Sequence, residues 1–238
     1  MANLIIDIGN IVLKAAWSEG MTLGKIYRYQ GERFIDFIIS ITAGNKPETM
    51  VISSVRMLSS QQIAVLKQEC EHFVCIGDEI LKSYDLPAYL SPDRAAAIIA
   101  TRYMFKSKGC TVFDFGTTLT VDFIDAEGRY EGGNISVGCR SRFKAVNRYT
   151  RTLPLVDTPV EIEEKPSSLN SSIASGVIKG MVFEIEGYIA SNPENIAVFT
   201  GGDANYFAKR MKKSIFVVCN LVLMGLALIA VEYYEQNI

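Results

Sequence analysis

Histidine is nearly missing from this chain. His72 is the only one, so a mechanism built on a Ser–His or Cys–His couple has a single candidate with no motif beside it; the expectation there is a polar residue at a helix end. Cysteine is scarce and odd in number, at positions 70, 75, 110, 139 and 219. With no CxxC pair, that spacing speaks against a zinc site and for unpaired thiols in a reducing, cytoplasmic setting. Positive charge is not in excess either: 24 Lys and Arg stand against 26 Asp and Glu, a net charge of −2. No basic field exists to hold nucleic acid non-specifically, and an anionic substrate has to be held by local groups. The N-terminal MANLIIDIGN lacks a basic leader segment and reads as neither signal nor transit peptide. Long apolar runs are confined to Ile215–Val231, broken by Asn220 and Gly225 and preceded by Lys209, Arg210, Lys212 and Lys213. That run sits at the short edge of the roughly 17–25 residues a membrane span requires. It reads better as a buried strand (Ile215–Val218) and a core helix (Leu221–Tyr234), so no membrane partner is expected.

What the chain does have is apolar material for two cores, 49% hydrophobic residues in 238, and one pattern written twice. At Gly109–Asp125 a short apolar run delivers Asp114, the turn Phe115-Gly116-Thr117-Thr118 follows, and Leu119–Ile124 returns as a second strand. At the N-terminus Leu4-Ile5-Ile6 leads into Asp7-Ile8-Gly9-Asn10, and Ile11–Trp17 returns, with Glu19-Gly20 closing the hairpin. A strand, an acidic turn and a returning strand can hold a cation and a phosphate, because the carboxylate binds metal and glycine lets backbone approach a ligand. Lys14 would reach back toward phosphate oxygens. Such a duplication is too long for a solenoid period and fits two related domains facing each other across a cleft.

Between the two hairpins, Phe34–Ser40 has helical spacing, Met50–Ser54 reads as a central strand, Ser59–Cys70 as a capped helix and Phe73–Ile76 as a short strand. Pro92 suits a first helical turn, which places Asp93 and Arg94 at the N-terminus of an alanine-rich helix, Ala95–Phe105. Asp93 there can complement the helix dipole; Arg94 is unfavourable at that end and points to an anion or a paired acid. Further on, Gly132-Gly133 implies close backbone approach, and the helix Cys139–Tyr149 carries Arg140, Arg142, Lys144 and Arg148, a solvated face or a phosphate surface. Residues 152–168, with three prolines, read as a linker or flap. Ser171–Ala190 is a long helix whose Gly176, Gly180 and Gly187 would let another element pack closely. Thr200-Gly201-Gly202-Asp203 ends a strand in a turn that can lie against a ring or a phosphate, or be a plain connection.

In order along the chain, DIGNxxxK (7–14), YxxPxxLxxDR (84–94), DFGTTLTVD (114–122), GGNIxxG (132–138) and TGGDA (200–204) resemble type III pantothenate kinase, within the actin-like ATPase superfamily. The resemblance implies an α/β fold of two duplicated actin-like (ribonuclease H-like) domains with a nucleotide cleft between them, placed at residues 1–108 and 109–238. It implies ATP-dependent phosphorylation of pantothenate, a homodimer, and ATP, Mg²⁺ and K⁺ or NH₄⁺ as cofactors. By position, Asp7, Ile8, Gly9, Asn10, Ile11, Val12, Leu13 and Lys14 correspond to the first ATP-phosphate loop, with Asp7 near Mg²⁺. Asp93 corresponds to the general base; Tyr84, Ser91, Pro92, Asp93 and Arg94 line the substrate site. Asp114 corresponds to the monovalent-cation ligand, Thr117 to an ATP contact, and Thr200, Gly201 and Gly202 to the nucleotide-side turn. The chain departs from the family pattern where Ile11 replaces a Thr, Ser91 a Gly, Val137 a Pro, and Leu169 a substrate-contacting Thr. Those departures keep two alternatives open: a weakened relative with an accessory role, or an actin-like kinase of another small alcohol.

Overall fold

The computed structural model describes residues 2–236. The first sheet is built from β1 (Asn3–Ile8), β2 (Leu13–Glu19), β3 (Thr22–Tyr29), β4 (Thr49–Ser54) and β5 (His72–Cys75), in the order β3-β2-β1-β4-β5. β1 pairs antiparallel with β2 and parallel with β4. The second sheet, from β6 (Cys110–Phe115), β7 (Thr118–Ile124), β8 (Tyr130–Val137), β9 (Ile196–Gly201) and β10 (Phe216–Val217), repeats that plan, in the order β10-β9-β6-β7-β8. β6 is antiparallel to β7 and parallel to β9. The duplication therefore extends from two hairpins to two whole sheets. β1 and β6 are each six residues long, share the same burial pattern, and carry their aspartate in the fifth place.

Helices fill in around each sheet: α1 (Phe34–Thr42), α2 (Ser60–Gln68), α3 (Asp78–Ser83), α4 (Pro92–Met104) and α8 (Leu221–Gln236) with the first, α5 (Cys139–Tyr149), α6 (Leu169–Ser191) and α7 (Ala204–Ala208) with the second. Ser59 and Ser168 close capping boxes on α2 and α6, each satisfying amides that a helix start otherwise leaves orphaned. Leu4, Ile6 and Ile8 of β1 form one core with Phe34 and Ile38 of α1 and Leu66 of α2. Side chains alternate along a strand, so Ile5 and Asp7 project to the other face, the one on which α4 and α8 pack. In the second sheet Phe113, Phe115 and Phe199 pack with α5, α6 and α7, and Val112, Asp114 and Thr200 project oppositely.

Several expectations need correction. The chain divides into the part up to Met104 together with the segment from Asn220, and Phe105–Cys219; the C-terminal helix, expected with the second half, belongs to the first. The reason is packing: Gly225 of α8 lies so close to Ala96 of α4 that an added methyl would stand 2.9 Å from its Cα, and Leu223, Leu226, Ala227 and Ala230 are all buried. No helix among the described residues is long and apolar enough to cross a membrane. The first hairpin does not close at Gly20 but continues into β3, whose mixed exposure hid the strand. Gly132 lies within β8, at φ +127 with open space where a Cβ would go; it serves backbone conformation, not close approach. At Gly176, Gly180 and Gly187 likewise, no packed neighbour among the described residues comes within 4 Å of where a Cβ would stand. His72 opens β5 instead of ending a helix. On α5, Arg140, Lys144 and Arg148 are exposed, whereas Arg142 pairs with Glu184 of α6 and bonds the Val137 carbonyl.

Candidate active site

In the first unit, β1 delivers Asp7 directly opposite Lys14 of β2 and beside Ser53 of β4. Paired residues on neighbouring strands project to the same face, so an acid, a base and a hydroxyl share one patch of sheet. Ser53 Oγ is fully buried with no hydrogen-bond partner among the described residues, a polar orphan of the kind that a hydrated ion satisfies. The turn that follows is tight: Gly9 N–H donates to the Val12 carbonyl at 3.2 Å, and a methyl at Gly9 would stand 2.9 Å from that oxygen. Arg56, just after β4, grips the turn from outside. Its Nε donates to the Gly9 carbonyl at 2.9 Å and its Nη2 to the Asn10 carbonyl at 2.8 Å, while its guanidinium lies over the Phe34 ring. Ile11, at the tip, is half exposed.

The substrate-loop candidates are in the same unit. Pro92 begins α4, and Asp93 and Arg94 occupy its first turn. Ser91 Oγ donates to Asp93 Oδ1 at 2.6 Å and the Arg94 N–H donates to the same oxygen at 2.8 Å. The aspartate is thus oriented by a hydroxyl and an amide on one oxygen. Arg94 is buried. Tyr84 is held at both ends: its hydroxyl bonds Glu232 of α8 and its carbonyl accepts from Arg102 Nη1 at 2.6 Å. Burial, reinforced by the Glu232 carboxylate, pushes the Tyr84 phenol far above its ordinary range, so it stays a protonated donor. The C-terminal helix thereby braces the loop that carries the candidate base.

In the second unit, Asp114 lies opposite Thr120 of β7 and beside Thr200 of β9. β9 ends at Gly201, whose φ is +92 and where a methyl would meet the Phe115 carbonyl at 2.5 Å and its N at 2.6 Å; only glycine lets Thr200-Gly201-Gly202 lie against the Asp114 hairpin. Gly202 N–H seals the contact with the Phe115 carbonyl at 2.9 Å. The Gly116-Thr117 turn is also gripped from outside, the Thr117 carbonyl accepting from Gly138 N–H at 3.1 Å and Ser141 Oγ at 2.8 Å. The Thr117 side chain is exposed. Desolvation raises the Asp203 carboxyl above its usual range. Leu169 is the first residue of α6 and about half exposed.

The structure therefore brings Asp7 together with Lys14 and the Gly9 turn, Ser91 with Asp93, and Asp114 with Thr200 and Gly201. Asp7, Asp93 and Lys14 fall in one unit, and Asp114, Thr117, Thr200 and Leu169 in the other. Among the described residues no three His, Cys, Asp or Glu side chains form a metal cage. Sequence reasoning missed the supports: Arg56, Ser141, Arg102 and Glu232 lie outside every motif, and only folding brings them to the loops they hold.

The family model for type III pantothenate kinase matches residues 3–191. The chain belongs to this family. A type III pantothenate kinase of Phocaeicola vulgatus is 37% identical over 232 residues, covering 94% of this chain and 96% of that one. Among solved structures, the activator of 2-hydroxyisocaproyl-CoA dehydratase from Clostridium difficile, with bound ADPNP, superposes with a TM-score of 0.61 at 13% identity, covering 100% of this chain and 97% of that one. MreB5 of Spiroplasma citri bound to ADP gives 0.54 at 11%, covering 99% and 98%. The fold of this family member is thus α/β and actin-like, two duplicated five-stranded sheets.

Proposed function

We infer that this type III pantothenate kinase family member transfers the γ-phosphoryl group of ATP to the primary hydroxyl of pantothenate, giving 4'-phosphopantothenate, the first step of coenzyme A synthesis. The observation that carries this is the family match across residues 3–191, which takes in the Asp7, Asp93 and Asp114 segments together. Phosphoryl transfer through a loose transition state asks for anionic oxygens to be neutralised and the nucleophile aimed in line. In this reading Asp93 accepts the hydroxyl proton through the carboxylate oxygen that Ser91 and the Arg94 amide leave open, and the alkoxide oxygen bonds phosphorus as the bond to ADP breaks. Lys14 and the amides of the Gly9 and Gly116 turns receive the phosphates; Asp7 would hold Mg²⁺, a hard cation that takes carboxylate and phosphate oxygens, and Asp114 would hold K⁺ or NH₄⁺. Tyr84 and Arg94 line the pantothenate side, Arg94 being suited to a carboxylate by its two-pronged geometry. Thr117, Thr200, Gly201 and Gly202 take the nucleotide.

We assign the two compact units to the two actin-like domains, and the chain to the cytoplasm as a homodimer. An exposed stripe along α6, Gly176, Gly180, Phe183 and Gly187, supports the dimer, since small residues let two helices approach closely. Leu169, on the same helix, would then meet substrate where the family pattern has a hydroxyl. Sedimentation of the purified chain tests the dimer, and ADP release with pantothenate against a panel of other small alcohols tests the substrate.

A further inference from the structure

Arg56 lies in none of the five motifs, yet beyond its contact with the Phe34 ring it makes two hydrogen bonds to consecutive carbonyls of one turn. The consequence follows from peptide geometry. A trans peptide is planar, with its C=O and N–H pointing in opposite directions, and the chain has no cis peptide among the described residues. The Gly9 carbonyl shares its plane with the Asn10 N–H, and the Asn10 carbonyl with the Ile11 N–H. Pinning both carbonyls on the guanidinium therefore aims both amides the other way. Two successive amides fixed in one direction form an anion-binding concavity. The second unit holds its own turn at a single carbonyl, that of Thr117, which accepts from Gly138 N–H and Ser141 Oγ.

We propose that Arg56 is a positioning residue for the nucleotide phosphates, acting through the Gly9 and Asn10 carbonyls to present the Asn10 and Ile11 amides. The proposal rests on the kinase reading and deepens it. It also accounts for Ile11: a turn whose donors are main-chain amides held by Arg56 does not depend on a hydroxyl at position 11. Lysine cannot replace arginine here, because an ammonium is a point charge and the two carbonyls are met by a planar fork.

The test is calorimetric binding of the non-hydrolysable ATP analogue ADPNP, with Mg²⁺, to the full chain and to Arg56→Met and Arg56→Lys, alongside KM for ATP and for pantothenate. We expect both variants to bind the analogue about tenfold or more weakly, as for loss of a pair of charge-assisted hydrogen bonds. KM for pantothenate and the melting temperature should stay near the parent values, and added guanidinium should restore part of the lost affinity in Arg56→Met. Unchanged analogue affinity overturns the proposal. So does a parallel loss of stability and of both KM values, which marks a purely structural role, and so does full rescue by lysine. A parent chain that binds the analogue but phosphorylates no pantothenate refutes the kinase reading while leaving the binding comparison decisive for Arg56.

Discussion

Replacing Gly225 with alanine adds one methyl group at the place where α8 presses on α4. Built on the present backbone, that methyl stands 2.5 Å from the Ala96 carbonyl carbon and 2.9 Å from its Cα, where ordinary contact begins at 3.4 Å. The Ala96 carbonyl oxygen also obstructs it, and all three atoms are main chain within a helix, so none can rotate aside. The helices must separate by about 1 Å, a gap that forfeits a quarter to a half of the dispersion attraction of the atoms lining it. Overpacking of this kind costs typically about 1–3 kcal/mol, and the lack of a yielding side chain puts Gly225→Ala at the upper end. For a chain of this size about 3 kcal/mol lowers the melting midpoint by roughly 6–12 °C. Trp17 is the sole tryptophan and lies in β2 of the first unit, so its fluorescence reports this unit's transition separately from the other. Gly44→Ala, with open space around the added methyl, is the control and should stay within about 0.5 kcal/mol of the parent. A Gly225→Ala transition within about 2 °C of the parent would refute the contact and, with it, the assignment of α8 to the first unit. Because α4 begins with the candidate base and α8 holds Tyr84 through Glu232, activity should fall with stability.

Other consequences follow from single contacts. Ser91→Ala removes the hydroxyl on Asp93 Oδ1; as a bond to a charged acceptor it is worth about 1.5–3 kcal/mol, so steady-state kinetics should show kcat down about tenfold or more with KM for ATP unchanged. Asp203 is held above its ordinary range by desolvation, so the folded state keeps this proton better than the unfolded one and stability is lost as pH rises. The loss begins near the ordinary carboxylate value of about 4 and is complete above the raised one. Asp203→Asn should therefore melt higher than the parent at pH 7 and match it at pH 3, as read by calorimetry. Burial pushes the Cys70 and Cys110 thiols up to about 11, and Cys139 is also buried. A thiol reagent at pH 8 should modify the exposed Cys219 in the native chain, the exposed Cys75 more slowly because desolvation raises its thiol as well, and the other three only on unfolding, as counted by mass spectrometry.

The duplicated hairpins were readable because each strand pairs strong β formers with an acid and a glycine turn, local signals that survive without tertiary help. From them came the acids at positions 7 and 114, and the Pro-Asp-Arg start of α4 was equally local. β3 and β8 were not readable: both are largely solvent-facing edge-side strands, so neither shows the apolar alternation that marks a half-buried strand. The destination of α8 was hidden for a different reason. Its apolar character announces burial but names no partner, and only the fit of Gly225 on Ala96 draws it back across the sequence to the first sheet. The grips on the site were hidden likewise, since Arg56 reaches Gly9 and Glu232 reaches Tyr84 across sequence separations of 47 and 148. Hydrogen bonds of that range leave no periodicity to detect.

The central claim is that this chain uses Asp93 to move a phosphoryl group onto pantothenate, and the most direct measurement is ADP release by the purified chain with ATP, Mg²⁺ and pantothenate, in K⁺ and then in Na⁺, beside Asp93→Asn. The account predicts pantothenate-dependent turnover in K⁺ that drops in Na⁺ and falls about 100-fold or more in the variant, as for loss of a general base. Turnover that Asp93→Asn leaves intact, or that pantothenate does not stimulate, would contradict it.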